Sequence, residues 1–329
     1  MTPPISPKPS NNANNITHSM DSGELKNLAG VINVRKEKDF TSHDVVAIIR
    51  SFTRGKVGHT GTLDPNATGV LPVCLGRATK LADFIQAADK TYVAEIILGI
   101  TTDTGDMTGE IISQQHTNLH EISVEKISEA VLSFHANYCT EYLQTPPMYS
   151  AVKVGGRKLY ELARKGEAVE RQARHVTIHD IKILQFFPEK NVFTIEVTCS
   201  KGTYIRSLAT DIGEKLGCGA VMGELNRTRS GMFDISTAVS IDEIRQAATA
   251  GQLGKLVLPI DIILPYPKAS VTPAGMKWAR NGNPLPLDLI KLPKGGLSAG
   301  KKYWLTSPDG MLIGLYRNGG GKMRPEVMM

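Results

Sequence analysis

The residues best suited to chemistry lie in the stretch GHTGTLDPNATG, residues 58–69, where one carboxylate, Asp64, sits among three glycines and a proline. Gly58, Gly61 and Gly69 permit close approaches or backbone angles that side chains forbid. Pro65 pushes Asp64 out of the helical region into an extended conformation. A carboxylate held in this way offers a fixed lone pair, which serves equally as a nucleophile, a general base or a metal ligand. An Asx-turn, with the side chain bonded to neighbouring amides, is the competing reading. A phosphate-binding loop is excluded on detail, because neither Gly61 nor Gly69 is followed by the lysine of a Walker A loop.

The second chemical constellation is KGTYIRSL, residues 201–208, which sets Tyr204 and Arg206 two positions apart where an alternating strand gives way to a helix. An arginine beside an aspartate keeps the carboxylate ionised, and a tyrosine face can carry a base by stacking. A core aromatic with its hydroxyl at the surface is the alternative reading of Tyr204.

These residues need elements to hold them. LAGVINV reads as a strand ending at Val34, followed by a helix whose capping box is Thr41 and Asp44 and whose stripe is Val45, Ile48, Ile49 and Phe52. A long glycine-bearing loop over 55–69 follows, and then a helix with Leu81, Phe84, Ile85 and Ala88 on one face. KTYVAEIILGI alternates as a strand, with Tyr92 near its start. Helices are expected over 124–134 and 158–165, the second stopped by Gly166. HVTIHDIKILQFF and NVFTIEVTCS alternate on either side of PEKN as an antiparallel pair. Ile205, Leu208, Ala209, Ile212 and Leu216 then mark a helix ended by Gly217. A capped helix starts at Ser240 with Glu243, and KYWLT and MLIGLY flank SPDG as a hairpin. Hairpins without strict βαβ alternation predict an α+β protein with a mixed, largely antiparallel sheet flanked by helices.

With 329 residues, about two folded units are expected. Hydrophobic residues at 41% and charged residues at 21% exclude a fibrous or wholly disordered chain. Residues 1–27, rich in Pro, Asn and Ser, read as a disordered tail. The formal charge of +6 favours phosphate-bearing partners without requiring them. The basic groups Arg54/Lys56, Lys153/Arg157/Lys158, Arg164/Lys165, Arg171/Arg174 and Arg227/Arg229 read either as solvated surface or as an RNA face. Cys74, Cys139, Cys199 and Cys218 are spaced wrongly for zinc or for a small disulfide framework, so reduced thiols are expected. Neither a spanning run nor the apolar core of a signal peptide is found, which makes the cytoplasm the expected compartment.

Six segments, in order, resemble the bacterial TruB family of tRNA pseudouridine-55 synthases. They are TSHDVV, GHTGTLDPNATGVLPVCLGRATK, DKTYVAEIILGITTDTGDMTGE, PPMYSAVKVGGRKLYELARKG, CSKGTYIRSLATDIGEKLGCGA and ELNRTRSG. The resemblance implies a cofactor-free isomerisation of uridine in which Asp64 is the catalytic aspartate. By the same resemblance Tyr92 stacks on the base, Arg206 pairs with the aspartate, Tyr204 lines the pocket and Leu225 closes it. His59 enters the T-loop when the nucleotide is extruded, at an unstacking cost of a few kcal/mol. Lys36 aligns with the lysine of an Asp-Lys-Pro sequence whose proline is here Glu37, and it is carried over as a helper that positions the loop.

The implied fold is a pseudouridine synthase-type catalytic domain over 28–264 and a small PUA-like β-barrel over 265–329. The implied partner is tRNA, met through its T-arm and, by the terminal barrel, its acceptor end. No metal, membrane or protein partner is implied, and a monomer is expected. Two other readings remain open at this point: a non-catalytic RNA-binding protein on the same body, and a pseudouridine synthase with another RNA target.

Overall fold

The computed structural model describes residues 28–114, 122–167, 169–293 and 295–329. The expected amino-terminal tail lies outside them. The first strand, β1 (Gly30–Lys36), leads into the helix Ser42–Thr53. That helix is capped as its sequence predicts, with Thr41 accepting from the Asp44 amide while the Asp44 carboxylate takes the Thr41 amide. A reciprocal cap of this kind contributes about 1 kcal/mol.

The expected loop over 55–69 holds one strand, β2 (Val57–His59), and runs into another, β3 (Thr68–Leu75), neither of which was expected. The β3 run VLPVCL does not alternate, for a physical reason. Leu71, Val73 and Leu75 enter the main core, whereas Val70 and Cys74 enter a second apolar cluster on the opposite face. A strand covered on both faces reads as continuous apolar sequence. Pro72, which gives the ladder no donor, still uses its carbonyl, which accepts from the Thr60 amide at 3.0 Å. The helix expected next is a 3₁₀ turn, Gly76–Leu81, followed by the short helix Ala82–Gln86.

Strand β4 (Lys90–Leu98) follows, and then six short strands form three two-stranded ladders. These are β5 (Ile100–Thr102) with β6 (Ile111–Gln114), β7 (Tyr142–Gln144) with β10 (Arg174–Val176), and β8 (Lys153–Val154) with β9 (Arg157–Lys158). Between them lie the helices Val124–Leu132 and Leu159–Ala163. The expected hairpin is β11 (Ile178–Phe187) with β12 (Val192–Cys199), turned at Asn191. The helix Ile205–Leu216 ends at Gly217 in the left-handed conformation. It is followed by β13 (Ala220–Ser230) and β14 (Phe233–Asp234).

The main sheet runs β1-β3-β13-β4-β12-β11. Its ladders are antiparallel except between β13 and β3, which pair in parallel at Asn226↔Thr68 and Arg227↔Gly69. That parallel contact is close. A Cβ on Gly69 would lie 2.2 Å from the Arg227 carbonyl oxygen, and its φ of +107° suits glycine.

The carboxy-terminal segment forms a second, six-stranded sheet of β15 (Lys268–Val271), β16 (Leu285–Pro286), β17 (Ile290–Lys291), β18 (Lys302–Thr306), β19 (Leu312–Asn318) and β20 (Lys322–Met328). Its order, β16-β20-β19-β18-β15-β17, is that of a nearly closed small barrel. Trp304 and Leu315 of this sheet pack into the second apolar cluster with Val31, Val70 and Cys74. The Trp304 indole N–H donates to the Leu264 carbonyl at 2.7 Å. The α+β class and the terminal barrel are as the sequence predicts.

Candidate active site

Asp64 stands on the link from β2 to β3, and its neighbours on both sides are anchored. The Ser42 hydroxyl contacts both the amide (2.9 Å) and the carbonyl (3.2 Å) of Leu63. On the other side the Lys36 ammonium donates to the Pro65 carbonyl at 2.9 Å, and also to the carbonyls of Glu37 and Phe40. Lys36 is fully buried, and that burial pulls its pKa down to about 8 against the opposing pull of the Asp64 charge. Serine and lysine together fix the carbonyls and amides flanking Asp64, so the carboxylate has little freedom to drift.

Arg206, on the first turn of the helix Ile205–Leu216, meets Asp64 with an Nε to Oδ2 distance of 3.0 Å. Its side chain is 5% exposed and that of Asp64 39%. The remaining guanidinium nitrogens donate to the carbonyls of Thr104 (3.1 Å) and Tyr149 (2.8 Å). A second carboxylate, Asp106, lies 3.6 Å from the same Nε. Asp106 accepts from the hydroxyls of Thr104 and Thr108 and from the Thr108 amide. A planar cation serving two carboxylates and two carbonyls is locked in orientation, because each N–H has a fixed direction.

Tyr92 is buried on β4, opposite Val197 of β12 and Arg227 of β13. Burial raises the pKa of its phenol, the Arg227 guanidinium opposes that rise, and the Asp64 charge adds to it. Leu225, opposite Ala94, belongs to the same apolar cluster as Leu63 and Tyr92. Tyr204 is half-buried at the amino-terminal end of the Arg206 helix. His59 ends β2, five residues before Asp64, with its ring edge-on to His43 at 5.4 Å between centroids. Burial, then the charges of His43 and Arg227, bring the His59 pKa down to about 4, so the ring is neutral near pH 7.

Sequence reasoning passed over two of these residues. Asp106 sat unremarked in the TDTGD run. Arg227 was grouped with Arg229 as surface or RNA-face charge, yet it is 1% exposed and donates to the carbonyls of Val70 (2.7 Å) and Gly61 (3.1 Å). Its position two residues after Leu225, on the same face of a strand, was the available signal. All four cysteines are free thiols. Among the described residues, no group of three or more His, Cys, Asp or Glu is arranged to hold a metal ion, and no helix is long and apolar enough to cross a membrane.

The fold is that of the pseudouridine synthases, a class of RNA-modifying isomerase. The sequence profile described as TruB family pseudouridylate synthase, N-terminal domain, matches residues 49–205, and that of the tRNA pseudouridylate synthase B C-terminal domain matches 206–265. The tRNA pseudouridine synthase B of Alkaliphilus oremlandii is 49% identical over 258 residues, covering 78% of this chain and 82% of that protein. The protein of the same name from Geobacillus thermodenitrificans is 41% identical over 309 residues, covering 92% and 98%. A solved Cbf5–Nop10–Gar1 complex contains a chain 26% identical with a TM-score of 0.66, covering 94% of this chain and 87% of that one. The chain belongs to the TruB family.

Proposed function

We propose that this chain isomerises uridine-55 in the T-loop of tRNA to pseudouridine, with Asp64 as the catalytic carboxylate. The reaction breaks the bond from uracil N1 to ribose C1′ and forms one from C5 to C1′. The C5 proton leaves and N1 gains one, so atoms and charge balance without a redox partner. The observation that carries the reading is the 3.0 Å contact between buried Arg206 and half-exposed Asp64. The buried guanidinium holds the carboxylate in a fixed orientation, while the 39% exposure of the Asp64 side chain leaves it open to the ribose of an extruded nucleotide.

In this reading Tyr92 stacks on the uracil, Tyr204 lines the pocket and Leu225 closes its apolar side. Lys36 positions the loop. His59, neutral and at the edge of the site, enters the T-loop in place of the extruded base. RNA recognition through a splayed loop rather than paired grooves fits such a site. The body over 28–264 carries the chemistry. The PUA-like barrel over 265–329 meets the acceptor end of tRNA, and the enzyme works as a cytoplasmic monomer.

The test is an unmodified tRNA transcript incubated with wild type or Asp64→Asn, with pseudouridine mapped chemically along the RNA. Wild type converts position 55, and Asp64→Asn loses roughly 10³-fold or more in rate. Full activity in the variant refutes the assignment of Asp64. Equal turnover on a T-arm minihelix and on unrelated stem-loops refutes the substrate.

A further inference from the structure

The helix that carries Arg206 begins without a side-chain cap of its own, since the residue at its start is Tyr204. The residue at that start is held instead from a distant strand. Gln144, at the end of β7, is 2% exposed, and its amide faces the Tyr204 backbone. Its Oε1 accepts from the Tyr204 amide at 2.7 Å, and its Nε2 donates to the Tyr204 carbonyl at 3.0 Å. The same Nε2 donates to the Tyr142 hydroxyl at 3.1 Å. Tyr142 in turn donates to the carboxylate of Asp211, on the same helix as Arg206.

This arrangement is specific to glutamine. A side-chain amide carries one oxygen acceptor and two N–H donors, and here the oxygen and both N–H groups are engaged. Rotating the amide by half a turn would set N–H against N–H and oxygen against oxygen at Tyr204, so the orientation is determined. An asparagine is one methylene too short to pair with both groups of Tyr204 from the same backbone position.

The segment that carries Gln144 also carries Tyr149, whose carbonyl takes a terminal nitrogen of Arg206. The segment therefore grips Arg206 twice, through the start of its helix and through its guanidinium. Four residues further on, at Lys153, the basic hairpin β8–β9 begins, with Lys153, Arg157 and Lys158.

We infer that Gln144 is a positioning residue for the reaction: it fixes the entry of the Arg206 helix, and so the aim of Arg206 at Asp64, and ties both to the basic segment that follows it. The inference rests on the reading of Asp64 and Arg206 given above. Gln144 bonds Tyr142 and Tyr204 and makes no hydrogen bond to Asp64. The inferred effect passes through the aim of Arg206, which separates Gln144 from a residue that merely stabilises the fold.

A double-mutant cycle tests this, using the full-length protein, a tRNA transcript and single-turnover rates at saturating enzyme. Gln144→Met keeps length and volume but removes the pairing. It is expected to lower the rate about tenfold or more, with the dissociation constant for RNA changed less than about threefold. In an Arg206→Lys background, where the guanidinium is gone, the same substitution is expected to cost less than about twofold further. A rate within twofold of wild type overturns the inference, and so does a tenfold loss that is equal in both backgrounds.

If Gln144→Met does not accumulate as folded protein, Tyr142→Phe reads the same connection. A loss of about threefold that disappears in Arg206→Lys supports it, and an equal loss in both backgrounds, or none in either, overturns it. Absence of product from wild type is a separate outcome, and it refutes the proposed function rather than the role of Gln144.

Discussion

Arg206 meets Asp64 through Nε at 3.0 Å, and the other nitrogens of its guanidinium are committed to the backbone carbonyls of Thr104 and Tyr149. The contact is therefore made by the most constrained nitrogen of the group. The arginine cannot swing to follow the carboxylate without giving up two hydrogen bonds in a buried site. Such preorganisation suits the proposed reaction, in which charge develops at the ribose, since no reorientation is needed when the barrier is crossed.

Asp106 shares that arginine at 3.6 Å, and three donors from Thr104 and Thr108 hold its carboxylate in place. Asp106→Asn preserves shape while removing one negative charge from the Arg206 surroundings. Turnover is expected to fall about tenfold, with RNA affinity and melting temperature little changed. Single-turnover kinetics and a binding titration check this. A drop in affinity with an unchanged rate would assign Asp106 to RNA binding instead.

Much of the architecture was legible in the sequence because simple periodicity marked it. β4 and β12 alternate, β11 pairs with β12 as expected although two register shifts interrupt its alternation, and the capping boxes at Thr41 and Ser240 are both present. β3 was illegible because the terminal barrel covers its second face, a long-range fact that no local window contains. β13 was obscured because its inward face holds Arg227, whose charge suggests surface. Asp64 stood out as a stiffened carboxylate, but glycine and proline spacing could not tell catalysis from an Asx-turn, and the proposed catalytic role rests on the ordered family motifs and the Arg206 contact. The Arg206 contacts come from carbonyls of Thr104 and Tyr149, and a backbone acceptor leaves no trace in residue type.

Lys36 predicts a feature of the pH profile. Below about pH 8 its ammonium offers three hydrogens to three carbonyls, those of Glu37, Phe40 and Pro65. Above it the amine has two hydrogens and turns a lone pair toward an acceptor, which loosens the loop at Pro65. Turnover is expected to fall as pH rises through about 8. In Lys36→Met the plateau should be lower and this limb absent. The same alkaline limb in the variant would assign it to another group.

His59 predicts a stability effect of the opposite sense in pH. Its folded pKa of about 4 lies below the ordinary 6.5, so below about pH 6.5 the unfolded chain gains a proton that the folded chain refuses. Its contribution to stability is thus present above about 6.5 and is lost progressively as pH falls toward 4. The ring Nδ1 is buried without a hydrogen-bond partner among the described residues, so His59→Phe sacrifices no bond there. Denaturation at a series of pH values should show a shallower acid decline for His59→Phe than for wild type. Parallel curves would refute the neutral, buried state of His59.

Arg227 gives the sharpest test of how the Asp64 loop is held. Its Nε bonds Val70 in β3, a terminal nitrogen bonds Gly61 before Asp64, and the residue faces Tyr92 across the ladder. One guanidinium therefore ties both arms of the loop to the strand beneath the proposed base site. Arg227→Lys keeps the charge, but a single ammonium on a flexible stem lacks the planar fork that reaches both carbonyls. Leaving one buried carbonyl unpaired costs on the order of 1–3 kcal/mol, so a lower denaturation midpoint is expected. Because the freed arm precedes Asp64, the rate at saturating RNA should fall by about tenfold or more under conditions where the variant remains folded. A loss of stability with full turnover would show that the loop keeps its geometry without the clamp, leaving Ser42 and Lys36 as sufficient anchors for Asp64.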